Sequence, residues 1–386
     1  MSTSPIRNPF VDSLRGIAIL LVLLLHFTLA FGLKNSPLGD VVPAEWLRAV
    51  LLNGNYGVTI FFVISGFLIT GNTLDRWGQL SQLSLRTFYA QRFARLLPCL
   101  LLALAIIVPL GCLDIPFFNN SDANPPLPAS YFVVAVGSIL TFWHNLLMQS
   151  AGYFNYCLNV YWSLSVEMLF YILFPLACLL LRRQALVALL GLGLIAYAPY
   201  YRSLHADNEI FFMYGYQACF DAIALGCLAA MLLRHWQPGV RLAAWVRPIA
   251  GLLLAVVYLR GIGGNEVWGF SLIGLLTATL LVHAPRTVPG RWLDSRPLRG
   301  LRWMGLHSYE LYLFHVIVLA VMRNVTDRDH LSYAARLPWL VLFISCACVL
   351  AWLVARYVGG PAQRTLLQWL RAGRPVLPAQ QQTAGT

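Results

Sequence analysis

Charge is what this sequence has least of. Only 11% of its 386 residues are Asp, Glu, Lys or Arg, 59% are hydrophobic, and the mean hydropathy is +0.68. Soluble domains carry about 25% charge, so a soluble enzyme or a free-standing binding module is excluded. Nothing here reads as a soluble domain. Lysine is nearly missing: Lys34 is the single lysine among 27 basic residues. That bias fits GC-rich coding as well as any binding role and carries little functional weight. Metal-spaced cysteine is also missing. The eight cysteines fall mostly inside apolar runs and read as small core residues. Cys112 and Cys157, near loops on one side, are the one pair placed to bridge. No cleavage site follows a short apolar region at the N-terminus, so the first run is expected to be an anchor rather than a signal peptide. There is no internal repeat, and no matched pair of interrupted helices of the kind that marks many secondary transporters.

What remains is a series of long apolar runs. Ten are candidate spans: 10–31, 56–71, 93–111, 162–181, 185–200, 211–233, 244–260, 267–284, 304–323 and 337–355. An eleventh stretch, 131–148, is weaker because it holds Gly137, Ser138, His144 and Asn145. Basic residues decide how it is counted. With the N-terminus inside and 131–148 not crossing, 20 basic residues fall inside and 7 outside, as the positive-inside rule requires. If 131–148 crossed, Arg182, Arg183 and the cluster at 286–302 would change sides. The expectation is therefore an all-α polytopic membrane protein with ten spans and both termini cytoplasmic. Segment 131–148 would be re-entrant, its irregular backbone buried by protein, or an eleventh helix if 56–71 or 185–200 fails to cross. Residues 1–358 form the membrane domain, and 359–386, rich in proline and glutamine, reads as a disordered cytoplasmic tail. The same placement of arginines explains the net charge of +12 without a nucleic-acid partner.

Several polar residues sit where a plain anchor would have none. The first run, FVDSLRGIAILLVLLLHFTLAF, contains Asp12, Arg15 and His26. Eleven residues is close to three helical turns, so Arg15 and His26 share a face about 16 Å apart along the axis. Asp12 lies one turn below Arg15. These three read equally as headgroup-level charges plus one core histidine, or as a site. Arg92 and Arg95, one turn apart, are ordinary topology markers and also what phosphate recognition needs. Glu167 lies about a turn and a half into its span, as an ion-pair partner or a site residue. Asp221 is the deepest acid. Ser65 beside Gly66 reads more readily as packing than as a nucleophile. The segment MGLHSYELYLFHVIV places Tyr309, Tyr312 and His315 in one helix, which argues for a lined cavity.

Five stretches together resemble the membrane-bound acyltransferase-3 family. They are DSLRGIAILLVLLLH at 12–26, FFVISGFLIT at 61–70, RFARLLP at 92–98, YWSLSVEMLFYILFP at 161–175 and SYELYLFH at 308–315. The resemblance implies O-acylation of a carbohydrate hydroxyl, usually extracytoplasmic, by acyl-CoA, most often acetyl-CoA, drawn from the cytoplasm. No metal is implied. It matches His26 and Arg15 to the family's first-helix histidine and arginine, Arg92 and Arg95 to its arginine pair, and Glu167 to its acidic position. Two positions depart from the pattern: Cys219 stands where an arginine is common, and Gly360 stands where a glutamate often precedes the proline. No hydrolase-like domain of the kind some members carry is present in the sequence. The expected roles are His26 as general base, Arg15 and Glu167 assisting, and Arg92 and Arg95 holding the donor. Asp12, Asp221, Tyr309, Tyr312 and His315 are substrate-contacting or structural. Expected partners are the bilayer of a bacterial inner membrane, acyl-CoA and a glycan. A transporter of a lipid-linked sugar or small molecule would use similar buried polar groups, and an interaction or sensor protein would tolerate their loss.

Overall fold

The computed structural model describes residues 8–33, 36–284 and 296–372. The described chain is helical throughout. Its principal helices are α1 (Pro9–Phe31), α2 (Ala44–Leu52), α3 (Asn55–Trp77), α4 (Leu85–Cys112), α5 (Phe132–Leu140), α6 (His144–Ala151), α7 (Trp162–Leu181) and α8 (Gln184–Leu204). They continue with α9 (Glu209–Tyr214), α10 (Tyr216–His235), α11 (Val240–Arg260), α12 (Gly269–Val282), α13 (Arg296–Leu306), α14 (Ser308–Val325), α15 (Arg336–Val354) and α16 (Gly360–Ala372).

Among the described residues, eight helices are long and apolar enough to cross a membrane, or nine if the bent pair α13–α14 counts as one span. This is the architecture of a multi-pass membrane protein. A helix occupies each of the ten expected runs, but the count of ten is not reached, for two reasons. At 14 residues, α12 is short for about 30 Å of hydrocarbon. The run at 304–323 is broken at His307, where the axis turns by 86°. Segment 131–148 is not one helix. It breaks at Phe142, whose φ is +67°, into α5 and α6, neither long enough to cross. Protein meets several of its polar groups: Ser138 Oγ meets His144 Nδ1 at 2.8 Å, the His144 N–H donates to Ser165 Oγ, and the Asn145 amide donates to the Tyr214 carbonyl.

Helix α1 runs largely through the interior. Asn8 caps it by accepting from the Phe10 N–H, Pro9 occupies a first-turn position where its missing donor does no harm, and Gly32 ends it at φ +66°. Val11, Ala18, Ile19, Val22, Leu23 and Phe27 are all buried, because α2, α3, α13, α14 and α15 surround it. Two crossings depend on missing side chains. A Cβ on Gly305 would lie 1.9 Å from the Asp12 carbonyl oxygen, and one on Gly66 would lie 2.1 Å from that of Ile223. These glycines let α13 rest on α1 and α10 on α3 backbone to backbone, as small residues do in membrane bundles.

Three further expectations change. Cys112 and Cys157 are not bridged; all eight cysteines are free, and Cys157 is buried against the Phe117 carbonyl. The region expected to be disordered from Gly359 onward includes α16, which starts with Pro361 in its first turn and packs against α4; residues 373–386 lie outside the described set, as do Arg7, Lys34, Arg286 and Arg291. Arg202, counted as an outer-loop charge, is fully buried within α8. The long connection 112–161 is folded rather than loose. Asn155 organises it, donating to the carbonyls of Phe118 and Asn119 and to Asn120 Oδ1 while accepting from the N–H groups of Cys157 and Leu158.

Candidate active site

Two cavities lie end to end in the bundle and share Val58 and Tyr312 as a common wall. The smaller, about 140 Å³, is lined by Arg15, Arg92, Arg95, Ser65, Glu167 and Tyr171 among others. The larger, about 950 Å³, is lined by His26 and by residues from the connections at the other end of α1. We refer to them as the arginine cavity and the histidine cavity.

In the arginine cavity, Arg15 donates to Ser308 Oγ at 2.8 Å, which ties α1 to the start of α14. The charges of Arg95, Asp12 and Glu167 all act on this guanidinium. Arg92 lies over the rings of Tyr171 and Phe88, at 5.6 and 5.7 Å. Its Nε is buried and, among the described residues, has no hydrogen-bond partner. Ser65 Oγ donates to Glu167 Oε1 at 2.6 Å and lies 3.0 Å from the Tyr171 hydroxyl, which itself donates to Glu167. Ser65 is therefore part of the polar lining rather than packing. Tyr171 is an unforeseen member, although its spacing of four residues from Glu167 on one helix face carries the signal. Three guanidinium groups against one carboxylate give this cavity an excess of positive charge.

In the histidine cavity, His26 Nδ1 lies 2.9 Å from the Val22 carbonyl. A carbonyl can only accept, so Nδ1 carries the proton, and in the neutral ring Nε2 has the lone pair. The His26 ring meets that of His315 edge to face, with centroids 4.8 Å apart and planes at 66°. His315 is fully buried, its Nδ1 facing the carbonyls of Tyr312 and Leu311 at 2.8 and 3.1 Å. Tyr312, one turn earlier on α14, donates to the Val160 carbonyl and accepts from Ser163 Oγ at 2.6 Å. Those bonds seat its ring in the wall between the cavities.

The expected site residues thus divide. Arg15, Arg92, Arg95 and Glu167 share the arginine cavity, and His26 and His315 form the histidine pair. Glu167 lines the arginine cavity, because its turn of α7 faces Ser65 on α3. Tyr309 donates to the Leu96 carbonyl and bridges α14 to α4. Asp12 lies beside the α1–α13 crossing. Asp221 is removed from both cavities. It pairs with Arg202 at 2.7 Å and accepts from Ser271, and Arg202 also donates to the carbonyls of Val267 and Ala218. This is a structural network joining α8, α10 and α12. The arginine that pairs with Asp221 stands on α8, not at position 219. Among the described residues no group of three His, Cys, Asp or Glu side chains is placed to hold a metal ion.

The profile of the acyltransferase-3 family, described as an acyltransferase domain, matches residues 8–356. The chain is similar to the O-acetyltransferase OatA of Staphylococcus aureus (strain NCTC 8325 / PS 47), with 24% identity over 350 residues, covering 83% of this chain and 52% of OatA. It is also similar to the putative O-acetyltransferase SACOL0978 of Staphylococcus aureus (strain COL), with 27% identity over 390 residues, covering 92% of this chain and 57% of that protein. The chain spans about half the length of these curated relatives. No solved structure matches it. The match runs through both cavities and nearly every helix, and the chain belongs to the acyltransferase-3 family.

Proposed function

We propose that this chain is an acyl-CoA-dependent O-acyltransferase of a bacterial cytoplasmic membrane, moving an acetyl group from acetyl-CoA to a hydroxyl of a carbohydrate. The observation that carries this reading is the pair of cavities, one lined by three arginines and one lined by His26, with Val58 and Tyr312 between them. The relatives are named O-acetyltransferases, which supports the choice of acyl group. With the start of α1 on the cytoplasmic side, as the distribution of basic residues suggests, the arginine cavity opens toward the cytoplasm and the histidine cavity toward the outside.

Acetyl-CoA offers phosphates and a thioester at opposite ends of a flexible arm. Arg92 and Arg95 hold the phosphates by charge-assisted bonds, the unpartnered Arg92 Nε being one donor in want of an acceptor. The cavity is too small for the whole donor, so the nucleotide rests at its mouth and the arm lies within. Arg15, fixed by Ser308, stands between the phosphate end and His26. The remaining gap along α1, roughly 16 Å, suits an extended pantetheine arm.

The acceptor hydroxyl enters from the histidine cavity. His26 Nε2 takes its proton as the oxygen attacks the thioester carbonyl carbon. The carbonyl electrons move to oxygen, giving a tetrahedral oxyanion whose charge Arg15 offsets. Collapse re-forms the carbonyl and breaks the C–S bond. The thiolate of CoA leaves and recovers a proton from the imidazolium, which returns His26 to its neutral form. Glu167, bound by Ser65 and Tyr171, sets the electrostatics of the donor side and makes no contact with the acceptor.

The test is transfer of radiolabelled acetyl-CoA in membranes holding wild type or His26→Ala at matched level, with the cell's own glycans present. The expected result is a hydroxylamine-sensitive ester on glycan, lost in the variant. Ester formation that survives the substitution would remove His26 from the chemistry. Movement of an acceptor across the membrane without ester formation would favour a transporter instead.

A further inference from the structure

The histidine cavity has a charge opposite to that of the chain. Five carboxylates line it, Glu45, Asp122, Asp207, Glu209 and Glu266, against two guanidinium groups, Arg48 and Arg260. The chain has only 15 acidic residues and a net charge of +12, so a third of its acids surround the one cavity that holds His26. They come from separate places: α2, the folded connection at 112–161, the loop after α8, the start of α9 and the loop after α11. Convergence from five places is not the solvated face of one helix. Most of these carboxylates reach solvent. Glu209 accepts from the Tyr153 hydroxyl and Glu266 from the Gly264 N–H. Burial pushes the Asp122 carboxyl upward and Arg323, behind the lining, draws it back.

The rest of the lining is aromatic or amide. Trp162 stacks on Tyr214 with centroids 4.4 Å apart, and Tyr153, Tyr156 and Asn159 lie nearby. Flat aromatic faces suit the apolar C–H faces of a sugar ring, while carboxylates and amides accept from its hydroxyl groups. At about 950 Å³ the space is at the upper end for a small-molecule site.

We propose that this cavity selects an acceptor carbohydrate whose modified unit carries no negative charge, a neutral or amino sugar, and rejects uronic acids and phosphorylated sugars. The inference rests on the acyltransferase reading for which face is the acceptor's, and adds the substrate class. A cleft lined by one sign of charge focuses its field at the mouth, and like charges brought together there oppose binding and slow encounter.

Purified protein in detergent is titrated with β-1,4-linked tetramers of glucose, glucosamine and glucuronic acid at mildly acidic pH and low salt, with binding followed by tryptophan fluorescence. Transfer from acetyl-CoA to each is measured in parallel as hydroxylamine-sensitive ester. The expected order is glucosamine, glucose, then glucuronic acid, with at least about tenfold between neutral and anionic tetramers. In Glu45→Gln/Asp207→Asn, that ratio falls several-fold. Glucuronic acid binding as tightly as glucose, binding of none of the three, or a ratio unmoved in the double variant would overturn the proposal. Charge-ordered binding with no ester on any acceptor would uphold the charge selection and sink the acyltransferase reading instead.

Discussion

The imidazoles of His26 and His315 meet edge to face at 4.8 Å, and each turns its Nδ1 toward a backbone carbonyl of its own helix. In the neutral form of each ring the lone pair is therefore on Nε2. Among the described residues, the Nε2 of His315 has no partner. In the proposed reaction His26 is the base and His315 fixes the plane of its ring. His26→Ala is expected to lower kcat by about 10²–10⁴-fold. His315→Ala is expected to lower it by about 10–100-fold through misplacement of His26, with KM for acetyl-CoA within about twofold. His315→Asn, which retains an N–H for the Tyr312 carbonyl, should recover part of the loss. Equal loss in both His315 variants, or a matching rise in KM, would assign His315 to packing alone.

Arg92 and Arg95 give a different signature, since they are proposed to act on binding. Removing one guanidinium–phosphate bond forfeits about 1.5–3 kcal/mol, so Arg92→Ala should raise KM for acetyl-CoA roughly 10–100-fold with a smaller effect on kcat. Arg92→Lys should be rescued poorly, because an ammonium group does not reproduce the fork or the contact with the Tyr171 ring. Steady-state kinetics at varied acetyl-CoA reads this directly. An unchanged KM would return both arginines to the role of topology markers.

These two predictions use residues that the sequence already marks, and the reason is physical. A charged or imidazole side chain inside an apolar run stands out against its surroundings, so Arg15, His26, Glu167 and His315 are legible by position. The helices are legible for the same reason, since apolar runs of this length have few other folds. Three kinds of information are not. The 86° turn at His307 comes from α13 lying on α1 through Gly305, a contact between residues nearly 300 apart. Which side of α7 Glu167 faces depends on Ser65, whose hydroxyl looks unremarkable beside a glycine. The acidic lining of the histidine cavity is spread over five short segments with no shared pattern, and only the assembled bundle brings them together.

Tyr312 separates the two cavities, and its hydroxyl is held by Ser163 and the Val160 carbonyl. In the proposed reaction the acetyl group passes this ring to meet the acceptor, and the ring narrows the same path for water from the acceptor side. Tyr312→Ala removes the ring and joins the cavities. Acetyl-CoA hydrolysis in the absence of acceptor is expected to rise about tenfold, while ester formation falls. Release of free CoA thiol, followed with a thiol reagent, compares the two rates. Hydrolysis at the wild-type rate, with transfer intact, would show that another side chain closes the path.

The pair Arg202–Asp221 makes a prediction about stability rather than chemistry. Both side chains are buried, and Arg202 reaches from α8 to Asp221 on α10, to Ser271 on α12 and to the Val267 carbonyl. Val267 follows Glu266, so the network also anchors the loop that brings an acid to the histidine cavity. Arg202→Ala leaves a buried carboxylate without its partner, a loss of about 3–5 kcal/mol. Asp221→Leu strands the guanidinium in the same way. Replacing both with apolar groups, Arg202→Met with Asp221→Leu, removes the stranded charge and should restore most of the unfolding midpoint in detergent. The loop would still lose its tether to Val267. The double variant is therefore expected to fold yet bind acceptor more weakly, with KM for acetyl-CoA unchanged. If the double variant were as unstable as the two single variants combined, the network would be stabilising through its hydrogen bonds and not through charge compensation.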